Sequence, residues 1–233
     1  MPSSRRPKGS CSTPATCTSR SPTTRCRPRR RCCRSTTGHI RSPRARPRRD
    51  STAATPLNLR PLTVGCDLAL HSATKYLSGH DDALAGVVVC KEQGDAARLL
   101  EFRSRTGPVP SADTAWLVAR GLKTLEVRMA RQTESARELA LRLSDHAAVS
   151  TVRYPGFGGL LSFDVADAAA AHRVETSTRL FVNATSLGGV TSRIESRARW
   201  EGSRVPPGLL RISVGLEGAD ELWADLEQAL AES

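Results

Sequence analysis

Lys75 is the residue on which chemistry in this sequence would turn. It directly follows an apolar run that ends in Ser72 and Thr74, and a second apolar run occupies residues 85–90. This layout would hold a reactive amine at the end of a buried strand, with two hydroxyls beside it. Desolvation or a neighbouring cation makes a lysine nucleophilic, and Schiff-base formation with a carbonyl is its commonest use. The same residues would also suit a surface lysine in a loop between two strands, because lysine side chains are mostly exposed. The remaining residues decide between these readings.

Charge divides the chain into two parts. The formal net charge is +12 over 233 residues, but residues 1–49 carry fourteen Arg and one Lys with no Asp or Glu. That segment alone contributes +15, and the remaining 184 residues, with 20 basic and 23 acidic side chains, come to −3. The same 49 residues contain seven prolines and a single branched aliphatic, Ile40, so they cannot bury enough apolar surface to offset the entropy of ordering. We read 1–49 as disordered. An arginine-rich arm could contact nucleic-acid phosphates, but there are no aromatic residues for base stacking. An organelle transit peptide shares the Arg- and Ser-rich, acid-poor composition. Out-of-frame translation of a GC-rich gene yields the same residues, and we favour this reading because the composition changes abruptly at Asp50.

Five of the seven cysteines, Cys11, Cys17, Cys26, Cys32 and Cys33, lie in that basic segment. An odd total without paired spacing argues against a disulfide framework and against a zinc site. Cys66 and Cys90 border apolar runs, where free cysteine behaves as a small hydrophobe. The histidines have no ligand spacing and are read as structural or surface residues, and no metal is expected. No stretch has the apolar length of a membrane span, and a cytoplasmic setting is expected.

Periodicity places the elements that would position Lys75. Strands are predicted over 64–71 and 85–90 and a short amphipathic helix over 95–104. Ser111 is an N-cap with Asp113 in the first turn, opening a long helix over 115–143 with an interruption at Gly121. Strands follow over 149–154, 160–165, 180–184 and 209–214, with helices over 168–177 and 220–231. The order is α/β with a small α+β layer in the last third, so the expected division is 1–49, then 50–145, then a C-terminal domain over 146–233.

Four stretches of the body, in this order, resemble the Cys/Met-metabolism family of pyridoxal-phosphate enzymes, which includes cystathionine γ-synthase, the cystathionine lyases and methionine γ-lyase. They are Asp50-Ser-Thr-Ala-Ala-Thr-Pro, His71-Ser-Ala-Thr-Lys-Tyr-Leu-Ser-Gly-His, Thr185-Ser-Leu-Gly-Gly-Val and Leu210-Arg-Ile-Ser-Val-Gly-Leu-Glu. The Ser-Ala-Thr-Lys string is highly specific; Ser-Leu-Gly-Gly adds support through its position in the order. The resemblance implies pyridoxal-phosphate fold type I, the aspartate-aminotransferase-like α/β fold, with a truncated large domain and an α+β C-terminal domain. It implies pyridoxal 5′-phosphate as cofactor, with Lys75 as the Schiff-base and proton-carrying residue. Asp50 would pair with the pyridine nitrogen, and Ser72 and Thr74 would donate to the phosphate. Arg211 would grip the α-carboxylate of a sulfur amino acid beside Ser186.

The resemblance also implies features that residues 1–49 do not supply: a glycine turn that cradles the phosphate, a tyrosine stacked on the cofactor ring, and a Tyr/Arg pair given to a neighbouring subunit. The expectation is therefore a transsulfuration enzyme by ancestry, performing β/γ-elimination or γ-replacement, in a truncated form of impaired or no activity. A homo-oligomer, dimer or tetramer, is implied by the resemblance alone. Two rival expectations are a non-catalytic remnant with a basic nucleic-acid-binding arm, and a non-catalytic domain that pairs with a full-length relative.

Overall fold

The computed structural model describes residues 47–232; the basic segment up to residue 46 lies outside the described residues. Two sheets carry the fold. The first has the order β1-β2-β3: β1 (Arg48–Asp50) runs parallel to β2 (Leu68–Ser72), which pairs antiparallel with β3 (Gly86–Cys90). Strand β1 begins two residues before Asp50 and consists of three exposed charged residues. The predicted strand over 64–71 is shorter than expected. Buried Pro61 starts a tight turn, Pro61–Val64, and Gly65 ends it at φ +95°, so extended backbone resumes only at Leu68.

Between β1 and β2 lies the single turn α1 (Thr55–Asn58). After β3 come α2 (Gln93–Thr106) and α3 (Ala112–Leu122). The Ser111 hydroxyl caps α3 by accepting from the Thr114 amide at 3.1 Å. The predicted interruption falls at Lys123 and Thr124, and α4 (Leu125–Ser144) then continues for 20 residues. Its buried positions Leu125, Met129, Gln132, Ala136, Leu139 and Leu143 recur at three- and four-residue spacing, the stripe that seats a helix on a core. A side chain on Gly121 would come within 2.2 Å of the Ser78 carbonyl oxygen, so α3 meets the segment after Lys75 by backbone contact.

The second sheet has the order β4-β5-β8-β7-β6. Its strands are β4 (Thr151–Arg153), β5 (Leu160–Asp164), β6 (Val182–Asn183), β7 (Arg193–Ser196) and β8 (Leu209–Ser213). Helices α4, α5 (Ala168–Ser177) and α7 (Ala219–Ala231) cover one face, and α6 (Ala198–Glu201) follows β7. Leu161, Phe163, Ile194, Leu210 and Ile212 point into that core. Side chains alternate across a strand, so Ser162, Glu195 and Arg211 occupy the opposite face, and Glu195 stands directly across from Arg211. Strand β7 escaped the periodicity reading because two of its four residues are charged. Among the described residues, no helix is long and apolar enough to cross a membrane.

The backbone contact at Gly121 generates a prediction. Gly121→Ala should destabilise the chain by about 2 kcal/mol, the cost of forcing extra volume into a packed contact. Urea unfolding followed by circular dichroism measures it; a loss under about 0.5 kcal/mol would mean that the contact yields to a side chain.

Candidate active site

Strand β2 delivers Lys75. Its last residue, Ser72, leads into a wide turn, Ala73–Leu77, in which Lys75 leaves helical backbone values (φ −89°, ψ −130°). Ala73, Tyr76 and Leu77 are buried, while Lys75 between them is only partly covered. The turn is held from below by Arg128, 3% exposed, which donates to the Tyr76 carbonyl at 2.9 Å, the Gly121 carbonyl at 2.9 Å and the Thr124 hydroxyl at 3.1 Å. Burial draws the Arg128 guanidinium below its ordinary pKa. The absence of a side chain at Gly79 leaves it room, since a Cβ there would sit 2.2 Å from Nη1.

Residues from the second sheet close over this turn. The Lys75 amine donates to the Ser186 hydroxyl at 2.9 Å. Gly188, at φ +77°, rests on Tyr76 so closely that a Cβ would come within 2.7 Å of the Tyr76 amide nitrogen. The Val190 amide donates to the Gly79 carbonyl at 2.9 Å, and Gln132 donates to the Gly189 carbonyl at 2.8 Å. Arg193 pairs with Asp81 at 2.8 Å. Burial raises the Tyr76 phenol to about 12; the Ser213 side chain and the Gly159 backbone amide pull partly the other way. The Gly188–Gly189 pair is thus a close-packing device, which identity alone would leave as an ordinary turn.

Asp50 ends β1, and the parallel pairing sets it beside Leu70, so Asp50 and Lys75 emerge at the same, carboxyl end of two neighbouring strands. Ligands of α/β sheets bind at that end. One oxygen of the exposed Asp50 carboxylate accepts from the Thr52 amide at 2.8 Å, and the Thr52 hydroxyl accepts from the Ser72 amide at 2.8 Å. Thr74 is engaged with the start of β3: its hydroxyl accepts from the Ala85 amide at 3.0 Å and donates to the Ala85 carbonyl at 3.4 Å. Arg211, on β8, donates through Nη2 to the Thr185 carbonyl at 2.6 Å and to Glu195 at 2.8 Å. Burial lowers its pKa, and the Glu195 carboxylate works against that shift. Arg211 also borders a cavity of about 360 Å³ shared with Ala53, Ala54, Arg153 and Phe157.

The six residues singled out from the sequence therefore gather on one side of the fold: Asp50 and Ser72 through Thr52, Lys75 on Ser186, Arg211 on the carbonyl before Ser186, and Thr74 at the base of the turn. Arg128, Glu195 and Arg197 were missed. Arginine and glutamate are taken as exposed by default, although Arg128 sits on the apolar stripe of α4 and that placement is a readable signal. The donor set suits a phosphorylated pyridine aldehyde: a partly covered amine, a carboxylate at the same sheet end, and hydroxyls beside both.

A partly covered lysine amine at the carboxyl end of a parallel strand pair, joined through Ser186 to the loop that Arg211 also holds, suits reaction with a carbonyl-type cofactor. Residues 48–231 match the family described as Cys/Met metabolism PLP-dependent enzyme, and the chain belongs to it. It is 39% identical over 200 residues to a putative cystathionine γ-lyase of Streptomyces coelicolor, covering 79% of this chain and 51% of that protein. It is 41% identical over 192 residues to a cystathionine γ-synthase of Haemophilus influenzae, covering 78% and 52%. The crystal structure of a cystathionine γ-lyase from Micromonospora echinospora superposes with a TM-score of 0.77 at 35% identity, covering 80% of this chain and 56% of that one. The fold is accordingly that of the pyridoxal-phosphate-dependent lyases, and the chain spans about half the length of the curated relatives it matches. The match opens at residue 48, so family sequence includes the two arginines of β1 that composition had grouped with the basic segment.

His71, 7% exposed beside Asp50, supplies a pH prediction. Burial lowers its pKa from the ordinary 6.5, while Asp50 and the Ser51 backbone pull it back. A histidine whose folded pKa lies below its unfolded value binds fewer protons when folded, so its stability contribution is present above the unfolded value and lost as pH falls through it. The urea midpoint should therefore drop between about pH 7.5 and about pH 5.5, and His71→Asn should flatten part of that drop. Equal slopes in the two proteins would contradict the assignment.

Proposed function

We propose that this chain carries a pyridoxal-phosphate site built on Lys75 and acts on sulfur amino acids. The reaction would be β- or γ-elimination from a cystathionine-type thioether, or γ-replacement on an activated homoserine. The observation that carries this reading is the bond from Lys75 to Ser186, with Arg211 on the adjoining carbonyl and Asp50 at the same sheet end. When bound, the cofactor supplies an electron sink for carbanion chemistry.

Each residue then has a task set by its own chemistry. Asp50 favours the protonated pyridine nitrogen, since an opposite charge within a few ångströms stabilises the charged form. Ser72 and Thr74 present hydroxyls to phosphate oxygens; Thr74 can do so by giving up its long bond to the Ala85 carbonyl while still accepting from the Ala85 amide. Arg211 binds the α-carboxylate, with the Ser186 hydroxyl beside it, and so fixes which substrate bond faces Lys75. Lys75 takes and returns a proton at Nζ.

We take turnover by this chain to be impaired. Its two tyrosines are both committed to packing: Tyr76 is 1% exposed, and the Tyr154 hydroxyl donates to the Gly158 carbonyl at 2.9 Å. Neither is left to stack on a cofactor ring. Self-association is part of the proposal, supported by Leu84, Trp116 and Val127, which are 86%, 63% and 73% exposed. A cytoplasmic setting accords with amino-acid metabolism.

The test is visible absorption of the purified full chain on adding pyridoxal phosphate. A band that is absent in Lys75→Ala and changes with L-cystathionine is expected. Spectra identical in the two proteins would refute the proposal.

A further inference from the structure

The arginines of the second sheet are unequally neutralised, and the inequality falls on the candidate substrate site. Arg193 has Asp81 and Arg199 has Glu175, at 2.8 and 2.7 Å. Arg197 has two carboxylates: Glu195 at 2.7 Å and Glu201 at 2.6 Å. Among the described residues Arg211 has only Glu195, at 2.8 Å, and both arginines converge on the same oxygen, Oε2. The other oxygen of this 2%-exposed carboxylate, Oε1, is buried and has no partner among the described residues. Every hydrogen bond that Arg211 makes among the described residues leaves from Nη2.

A carboxylate this deeply buried would, beside a single arginine, swing both oxygens onto it, because a bidentate fork is the strongest pairing available to the two groups. Arg211 would then be neutralised and its outward N–H groups consumed. Arg197 prevents this by holding Oε2 from the other side. It is well placed to do so: it lies two residues after Glu195, just past the end of β7, its amide donates to the Leu209 carbonyl at 2.9 Å, and Glu201 braces its guanidinium.

We infer that Arg197 is a positioning residue for carboxylate recognition, which divides Glu195 so that Arg211 keeps charge and N–H groups for an incoming α-carboxylate. This rests on the reading that Arg211 receives that carboxylate. The substrate feature it governs is the α-carboxylate itself, so the effect does not depend on Lys75 or on the cofactor.

Saturation-transfer NMR of the full chain with butanoate, a carboxylate with no amine to engage Lys75, tests both levels separately. Arg211→Met should abolish binding; if it binds as wild type does, or wild type does not bind, the Arg211 reading fails and the inference with it. With that control in place, Arg197→Met should weaken butanoate binding about fivefold, a usual coupling between charged neighbours, and Arg197→Lys should weaken it less. Adding Glu195→Gln to Arg197→Met should restore binding, because the competing charge is then gone. A merely structural arginine would not be rescued by a second substitution. Unaltered binding by Arg197→Met, or a loss that persists in the double variant, overturns the inference while leaving the Arg211 reading intact.

Discussion

The arrangement of the candidate site depends on one buried guanidinium. Arg128 is satisfied by two backbone carbonyls and a hydroxyl rather than by a carboxylate, and it joins the turn after β2 to the junction of α3 and α4. Taking a charge out of water costs several kcal/mol unless hydrogen bonds replace the lost solvent. The fold is therefore committed to keeping those three acceptors in place. Tyr76, the residue after Lys75, supplies one of them. The direction in which Lys75 leaves the sheet follows from that commitment.

Close backbone contact does the rest. Glycines at 121 and 188 let a helix and a loop touch the lysine turn from two sides, and the loop brings Ser186 to the amine. A one-ångström error there would separate amine from hydroxyl, and such errors are expensive in catalysis. The charged face of the second sheet adds Arg211, the residue we propose for carboxylate binding. Arg211 is fixed by β8, oriented by Glu195, and partly relieved of that acid by Arg197.

Much of this was legible in the sequence. Lys75, Ser186 and Arg211 were picked out through four ordered stretches that resemble one family, and apolar runs located β3, β5 and β8. The parts that escaped notice share a physical reason. Strands β1 and β7 are rich in charge, and charge reads as loop until its partners are seen. Glu195 is buried and Arg197 half-buried as an ion pair, a relation between positions on and after one strand that also depends on Arg211 from another. The shortening of β2 came from Pro61 and Gly65, whose turn interrupts a stretch that composition alone reads as extended.

We propose that Lys75, alone among the lysines, is presented for reaction with a carbonyl. The chain has three others, Lys8, Lys91 and Lys123, and the latter two are exposed. The most direct test is to treat the full chain with pyridoxal phosphate, reduce with borohydride, and map the modified peptide by mass spectrometry. Labelling concentrated on the Lys75 peptide at low reagent is the predicted result. Labels spread over Lys91 and Lys123 as fully as over Lys75 would show that Lys75 holds no special reactivity.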